Sequence, residues 1–413
     1  MKNKQTILGL ILLSILLVFG SFALETKELY YRLLIGLGFG YALARASMGF
    51  AGSVNKLART GSSTLASALM ILFLLTSIVT SFFIYNDPLS YRLNIYPINF
   101  ALLLGGLMFG FGMTFSSCCA TGSLTDLSSG FSRAVVSIFF LSFGVFMGFN
   151  TQATSSFVKD SYFTSQTGES FQGGVFLPDL FAFDGFNGYL GAIVLTAVLS
   201  FFIIYLARKY EKKYYKKYGF SEEKEEKQVL NTKEVIFDAI FVRPWKMRVS
   251  VVIIALLFGS LLFLYDKGWS ASSAFGLWFA KVLMLFGVSA QTLADFTHRG
   301  IEFFNTPLLE HGTSVQNFSI ILGAFFYLLI AGKFKNKFSS GLNISTKDFF
   351  VYAFGGFIMG FGTRLSNGCN VGALYTPIAE FSLSGWLYLI VVVIGGFAGN
   401  WFLKKYINKS CPV

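Results

Sequence analysis

The sequence predicts an all-α polytopic membrane protein, with about ten membrane-crossing helices and re-entrant short-helix loops that meet near the midplane. Three observations lead to this fold class. The 413 residues are 54% apolar and only 13% charged, whereas a soluble domain carries about 25% charged residues. Apolar segments recur along the whole chain, and a glycine-rich stretch that contains cysteine occurs twice.

Eleven apolar segments are candidates for helices in the membrane. Several are shorter than the roughly 20 residues of a full crossing, which is typical of glycine-broken, re-entrant helices. The first segment follows Lys2 and Lys4, so a cleaved signal peptide is an alternative to a span. Its length and the many later segments favour an uncleaved span. The segments are 6–24, 33–44, 64–85, 98–115, 134–149, 189–207, 249–264, 274–290, 318–331, 349–365 and 386–403.

The charges of the loops predict the topology. The loop 208–248 carries twelve Lys and Arg residues, whereas the loop 150–185 carries only Lys159 beside four acids. The positive-inside rule therefore places the first loop in the cytoplasm and the second outside. Basic residues near both ends place both termini in the cytoplasm. We divide the chain into an N-terminal transmembrane half (1–207), a charged cytoplasmic linker (208–248) and a C-terminal transmembrane half (249–413).

The remaining composition excludes several function classes. The net charge of +12 lies mostly in loops, where it orients a membrane protein, so no nucleic-acid partner is predicted. Four cysteines and two histidines are too few for a disulfide framework or a multi-histidine metal site. The sequence has no phosphate-binding loop and no serine-hydrolase or zinc-protease motif, so neither a nucleotide-driven pump nor a bound cofactor is expected.

An internal duplication is the most informative feature of the sequence. Residues 105–124 align without a gap on residues 355–374. Glycine richness alone does not explain the paired serine and cysteine. Nine of the twenty positions are identical: Gly105/Gly355, Gly106/Gly356, Gly110/Gly360, Phe111/Phe361, Gly112/Gly362, Ser116/Ser366, Cys119/Cys369, Gly122/Gly372 and Leu124/Leu374.

The predicted topology brings these two copies into the membrane from opposite sides. An inverted repeat of this kind is typical of transporters, whose transport site lies near the midplane where the repeats meet. A fainter third copy at residues 40–54 keeps the glycine spacing, and its counterpart of Cys119 is Gly49. A fourth copy at residues 287–300 is weaker, because its glycine spacing slips by one residue.

The repeated loops supply the candidate binding residues. Non-helical backbone at membrane depth must be buried in protein or line a wet cavity, and Gly122 and Gly372 permit the bend. Cys119 and Cys369 occupy equivalent positions, and thiols are weak donors with a polarizable sulphur. For Cys118 a packing role is favoured, although a redox-active pair with Cys119 is the competing idea. Further hydrogen-bonding groups are Ser116, Ser117, Thr121, Asn367 and Asn370.

One cation also lies within the second copy. Arg364 precedes Cys369 by five residues, and a charge inside the membrane is a functional-site hypothesis by default. It either attracts an anion or caps a helix C-terminus, and the sequence leaves both readings open. Arg299 lies near a predicted outer loop, where we expect an ordinary interface residue.

At these residues the chain resembles the YeeE/YedE family of thiosulfate transporters. The closest similarity is "RLSNGCNVGALYTPIAEFSLSGW", which begins at Arg364, followed by "GFGMTFSSCCATGSL", which begins at Gly110. The resemblance implies an hourglass-shaped inner-membrane protein that passes thiosulfate between thiols at a constriction. Carried over, it implies Cys119 and Cys369 as thiol contacts. The family's leading cysteine falls on Gly49, so one thiol is absent here.

The resemblance also implies a cytoplasmic sulphur-carrier partner of the TusA type. The sequence analysis therefore predicts an importer of thiosulfate or a related small sulphur-containing anion, in contact with the lipid membrane and not an enzyme. Because of Gly49, another sulphur or selenium species is an alternative substrate. A membrane thiol-disulfide oxidoreductase that uses Cys118 and Cys119 is the alternative of a different class.

Overall fold

The structure is a computed structural model that describes residues 2–218 and 242–407. Those residues contain no β-strand, and one isolated antiparallel bridge joins Phe176 to Ser382. Two 3₁₀ helices (Pro88–Ser90 and Leu177–Phe181) and two π-helical segments (Asn370–Tyr375 and Leu403–Ile407) accompany the α-helices. The α-helices are α1 (Lys2–Ala23), α2 (Lys27–Ala46), α3 (Phe50–Thr60), α4 (Thr64–Ile84), α5 (Phe100–Phe115), α6 (Ala120–Asp126), α7 (Phe131–Thr154), α8 (Ser156–Lys159), α9 (Gln166–Glu169), α10 (Tyr189–Tyr218), α11 (Met247–Tyr265), α12 (Ser272–Leu285), α13 (Ala290–Thr297), α14 (Ile301–Asn305), α15 (Gly312–Ile330), α16 (Phe334–Ser340), α17 (Thr346–Leu365), α18 (Thr376–Ala379) and α19 (Leu383–Phe402).

The length and composition of the helices identify a membrane protein. Within the described ranges, nine helical segments are long and apolar enough to cross a membrane. Phenylalanine and leucine side chains remain exposed along several of them, as on Phe201 and Phe202 of α10, which is the pattern of a lipid-facing surface. The chain is therefore an all-α polytopic membrane protein, and the predicted fold class is confirmed.

Helix breaks divide several of the predicted segments. The segment 274–290 was expected to be one apolar unit, but α12 ends at Leu285 and α13 begins at Ala290. Gly287 between them has φ +92°, a conformation that glycine adopts at little cost and that ends a helix. Most of the predicted linker 208–248 lies outside the described residues, although α10 continues through its first part to Tyr218. The division into two halves stays a prediction.

The two copies of the repeat cross each other in antiparallel order. A β-carbon added at Gly105 would come within 2.7 Å of the Gly362 carbonyl oxygen. One added at Gly112 would come within 2.6 Å of the Gly355 carbonyl oxygen. The start of α5 therefore lies against the end of α17, and the reverse, with glycine allowing the backbones to touch. The contact is unchanged when the copies are exchanged, as an inverted repeat requires. The side from which each copy enters the membrane stays a prediction.

The same exchange relates the neighbouring helices. A β-carbon at Gly110 of α5 would overlap the Val392 carbonyl oxygen of α19, and one at Gly360 of α17 would overlap that of Leu141 in α7. Each half of the chain thus packs its repeat helix against a helix of the other half. The two predicted halves are interleaved in one bundle rather than packed as separate cores.

A third helix pair repeats this packing. A β-carbon at Gly40 of α2 would overlap the Ile320 carbonyl oxygen of α15, and one at Gly323 would overlap that of Leu37. Gly40 holds the place of Gly110 and Gly360 in the alignment. The faint third copy in the sequence therefore has the helix packing of the two strong copies. The fourth copy differs, since α12 packs against α7, where Gly276 adjoins Val145 and Phe149.

Candidate functional site

Four helix breaks share one backbone shape. In each, a long helix ends, one left-handed residue follows within two positions, and the N-cap of a short helix comes two residues after it. The left-handed residues are Ser47 (φ 48°), Ser117 (φ 59°), Gly287 (φ 92°) and Asn367 (φ 59°). Glycine and asparagine are the residues that most readily adopt this conformation. The residues that begin the short helices, in the N-cap position, are Gly49, Cys119, Ser289 and Cys369.

The shared backbone shape assigns a counterpart to Cys119 in the fourth copy. Ser289 is the N-cap of α13, and its hydroxyl accepts a hydrogen bond from Thr292 N. The sequence alignment missed Ser289, because it matched glycine spacings and not the left-handed residue that precedes each N-cap by two positions. Ser289 is exposed, whereas Cys119 and Cys369 are each 1% exposed. The fourth break therefore lies apart from the buried cysteines.

Cys119 stands at the start of α6. Its sulphur accepts a hydrogen bond from Gly122 N at 3.4 Å, so the thiol caps the helix. The backbone at Gly122 packs closely on the two cysteines, since a β-carbon there would lie 3.5 Å from the Cys119 sulphur and 3.3 Å from the Cys118 β-carbon. The cap fixes the sulphur while leaving its S–H free to donate.

Cys369 stands at the start of the π-helical segment Asn370–Tyr375, and its side chain makes no cap bond. A β-carbon at Gly372, the counterpart of Gly122, would meet no atom within 4 Å. The same is true of Gly49 at the start of α3. Space therefore remains beside two of the three equivalent loops. Cys369 and Cys119 belong to the same buried cluster of side chains.

Cys118 is bound within its own loop. Its sulphur donates to Ser116 O at 3.2 Å and lies 3.0 Å from the Ser123 hydroxyl. These bonds agree with the packing role that the sequence favoured. Cys118, Cys119 and Cys369 are all free thiols.

Buried polar atoms without partners cluster around these loops. Within the described residues, no hydrogen-bond partner is found for the hydroxyls of Ser116, Ser117 and Thr121 or for Asn370 Oδ1. Native proteins leave few such atoms unsatisfied, and each costs about 1–3 kcal/mol unless a ligand or water bonds to it. The loops can therefore bond to a polar molecule that has shed its hydration shell.

A cavity of about 930 Å³ reaches the first copy from one face. Gly49, Ser117, Cys118, Cys119 and Gly122 line its inner end. Basic side chains outnumber acidic ones along its outer part, and one of them, Arg133, pairs with Asp126. The lining cations are Lys56 and Arg59 of α3, Arg133 of α7, Lys333, and Lys337 of α16. Such a charge distribution attracts anions.

Arg364 is buried beside the second copy. It is 4% exposed, donates to the Ser272 hydroxyl at 2.5 Å and to Thr363 Oγ1 at 3.3 Å, and pairs with no carboxylate of the described residues. These hydrogen bonds go to hydroxyls, whereas a helix-capping arginine bonds the last carbonyl groups. The geometry therefore favours the anion-attracting reading over the capping one.

The two asparagines of the second copy face different partners. Asn367 Oδ1 accepts from Gln152 Nε2 at 2.6 Å, which ties the loop to the end of α7. Asn370 Nδ2 lies 3.6 Å from the Met113 sulphur of the first copy. Asn370 thus joins the two copies, and no pattern in the sequence indicated its contact with Met113.

The family described as sulphur transport matches residues 45–398. The chain belongs to this family. Two relatives called thiosulfate transporter TsuA cover nearly the whole chain. The one from Spirochaeta thermophila is 25% identical over 393 residues, which are 90% of this chain and 98% of the relative. The one from Escherichia coli K12 is 22% identical over 371 residues, which are 90% and 93%.

A further relative matches a shorter stretch. The probable transporter YedE of Escherichia coli K12 is 30% identical over 167 residues, which are 39% of this chain and 40% of the relative's length. Family membership and the relatives' names identify this member as a membrane transporter of sulphur compounds and not an enzyme. They set aside the oxidoreductase alternative built on Cys118 and Cys119.

Proposed function

We propose that the chain imports thiosulfate, or a related small sulphur-containing anion, across the inner membrane with both termini in the cytoplasm. The anion passes a central constriction by hydrogen bonding to the thiols of Cys369 and Cys119. The observation that carries the proposal is the equivalence of these two thiols. Each is buried at the N-cap of a short helix, and their two loops follow helices that cross in antiparallel order. The names of the two TsuA relatives support the choice of thiosulfate.

The loops replace the anion's hydration shell in steps. Arg364 and the Cys369 thiol receive the anion from the face predicted to be outside. The hydroxyls of Ser116 and Thr121, which have no partner among the described residues, then donate hydrogen bonds to its oxygens, since buried polar atoms gain most from a partner. Cys119 passes it to the cavity lined by basic residues. This passage needs no covalent bond to the protein, because hydrogen bonds that contribute about 1 kcal/mol each can be made and broken in succession.

The missing thiol at Gly49 keeps a second substrate under consideration. Gly49 has extended φ/ψ of −135° and 139°, and nothing lies within 4 Å of a β-carbon built there. The first-copy cavity is therefore wider at this point than a cysteine would leave it. A bulkier sulphur or selenium species fits this observation, and competition against thiosulfate uptake would distinguish it.

We also propose that a TusA-type sulphur carrier docks on the cytoplasmic face. The basic side chains Lys333 and Lys337 line the outer part of the cavity that leads to Cys119. Reversing both charges with Lys333→Glu and Lys337→Glu should weaken binding of a purified carrier. A wild-type protein that does not bind the carrier would remove it from the account.

Growth on thiosulfate tests the proposed function. A host that lacks its own thiosulfate and sulfate uptake should grow on thiosulfate as sole sulphur source only when it expresses this chain. The matched control expresses Cys369→Ala at the same level and should not grow. Failure of the wild-type chain to support growth, despite normal expression in the membrane, would overturn the proposal.

A further inference from the structure

Two arginines lie on one buried phenylalanine ring. The guanidinium carbon of Arg299 is 3.9 Å from the centroid of the Phe149 ring, and that of Arg364 is 5.2 Å from it. The two cationic groups are therefore at most about 9 Å apart. Phe149 is 1% exposed and lies near the end of α7, just before the loop predicted to be outside.

Neither arginine pairs with an acidic side chain in the part of the chain that the structure describes. Arg364 bonds to two hydroxyls, and the contacts of Arg299 are the rings of Phe149 and Phe303. Two like charges this close in a largely buried place repel each other, and each has lost hydration. A ligand with two negative charges would relieve both effects.

The surroundings of Arg299 are positively charged. His311, which precedes α15, is partly buried. Its burial, together with the charges of Arg32, Lys267 and Arg299, lowers the pKa of His311 to about 4. The histidine is therefore neutral at neutral pH, and three cationic side chains act on it from around the ring.

The fold holds both arginines in place. Arg299 follows α13, whose last residues are tied to α7 by a hydrogen bond from Asn150 Nδ2 to Phe296 O at 2.6 Å. Gly148 of α7 makes room for Arg364, since a β-carbon there would lie 2.6 Å from Arg364 Cγ. In the other copy the equivalent contact is between Gly399 and Thr114, so the first copy has no cation at this position.

We propose that Arg299, Arg364 and the ring of Phe149 form a capture site for a small divalent oxyanion at the outer end of the pathway. This site recognises the negative charge of the anion, whereas the thiols deeper in the pathway recognise its sulphur atom. Arg299 is partly exposed and Arg364 is buried five residues before Cys369, so an anion moves from one to the other on its way in. The identification of the anion as thiosulfate rests on the proposed function.

Calorimetric titration of the purified, full-length protein tests the site. The probes are thiosulfate and sulfate, the second being a dianion without a terminal sulphur atom. The Arg299→Gln change should weaken binding of both by about tenfold, because a charge-assisted hydrogen bond contributes about 1.5 kcal/mol or more. Arg299→Lys should restore much of the affinity. Lys405→Gln is the control, since Lys405 also lies over an aromatic ring, 4.9 Å from the Trp401 centroid, but follows α19 near the C-terminus that is predicted to be cytoplasmic.

The outcomes separate this site from the proposed function. If wild-type protein binds neither dianion, or if Arg299→Gln binds both as tightly as wild type, the site is wrong even where thiosulfate uptake is observed. If the dianions bind through Arg299 but vesicles take up no thiosulfate, the site stands and the proposed function fails. A lower melting temperature in Arg299→Gln with unchanged affinity would assign Arg299 a structural role and overturn the proposal.

Discussion

The loops that follow α5 and α17 have the same backbone and different chemistry. Both reach a left-handed residue, at Ser117 and Asn367, and then an N-cap cysteine. Yet Thr114 in the first copy bonds to Phe111 O of its own helix, whereas its counterpart Arg364 reaches Ser272 on α12. The duplication thus preserves the glycine contacts that shape the crossing. The side chains that face each end of the pathway have diverged.

The difference between the copies follows the predicted polarity of the membrane. The first copy opens to a cavity with basic residues contributed mainly by three helices, α3, α7 and α16. The second copy instead carries its own cation, Arg364, in a buried place. Attraction of an anion is therefore built differently at the two ends: by diffuse surface charge at one and by a few enclosed arginines at the other.

The sharpest test of the comparison concerns topology, where the expected effect is all-or-none. Leu89 precedes α5 and Leu342 precedes α17, and both are exposed. The cysteines introduced by Leu89→Cys and Leu342→Cys should react with a membrane-impermeant maleimide from opposite sides of the membrane. The parent for both carries Cys411→Ser and shows the background from the remaining cysteines. Labelling of both positions from the same side would contradict the inverted repeat.

The next largest effect is expected at the glycines that the copies share. Gly110→Ala and Gly360→Ala each place a methyl group onto a carbonyl oxygen of the neighbouring helix, so each should cost about 1–3 kcal/mol. Gly372→Ala is the matched control, because its β-carbon meets open space. Melting of the purified proteins measures the difference. Equal stability of all three variants would show that the close packing of the copies is unimportant.

The smallest effect is expected where the third copy departs from the other two. Gly49→Cys should fold normally, since φ at Gly49 is −135° and the β-carbon has free space. An added thiol hydrogen bond contributes on the order of 1 kcal/mol, or roughly a fivefold change in uptake. Initial rates in vesicles, normalised to protein content, measure it. Unchanged or lower uptake at normal expression would argue against a missing thiol at this position.

Much of the fold could be predicted from the sequence, because apolar length and glycine spacing are local signals. The duplicated motif identified Cys119 and Cys369, and the structure places both at N-caps of short helices. The helix breaks before the short helices were harder to predict, since serine, the residue at positions 47 and 117, does not favour the left-handed conformation. Arg299 could not be assigned, because its neighbours Phe149 and Arg364 are far from it in sequence and meet only through the packing of α7, α13 and α17.

The measurement that tests the central claim most directly is uptake of radiolabelled thiosulfate by vesicles that contain the purified protein. Wild-type vesicles should accumulate the label, and uptake by Cys369→Ala vesicles should fall to the level of empty vesicles, because the proposed thiol contact is lost. The variant should still fold, since the Cys369 side chain makes no cap bond. Cys118→Ala is the control and should retain uptake, since Cys118 is bound within its own loop. Transport by correctly folded Cys369→Ala at the wild-type rate would contradict the account.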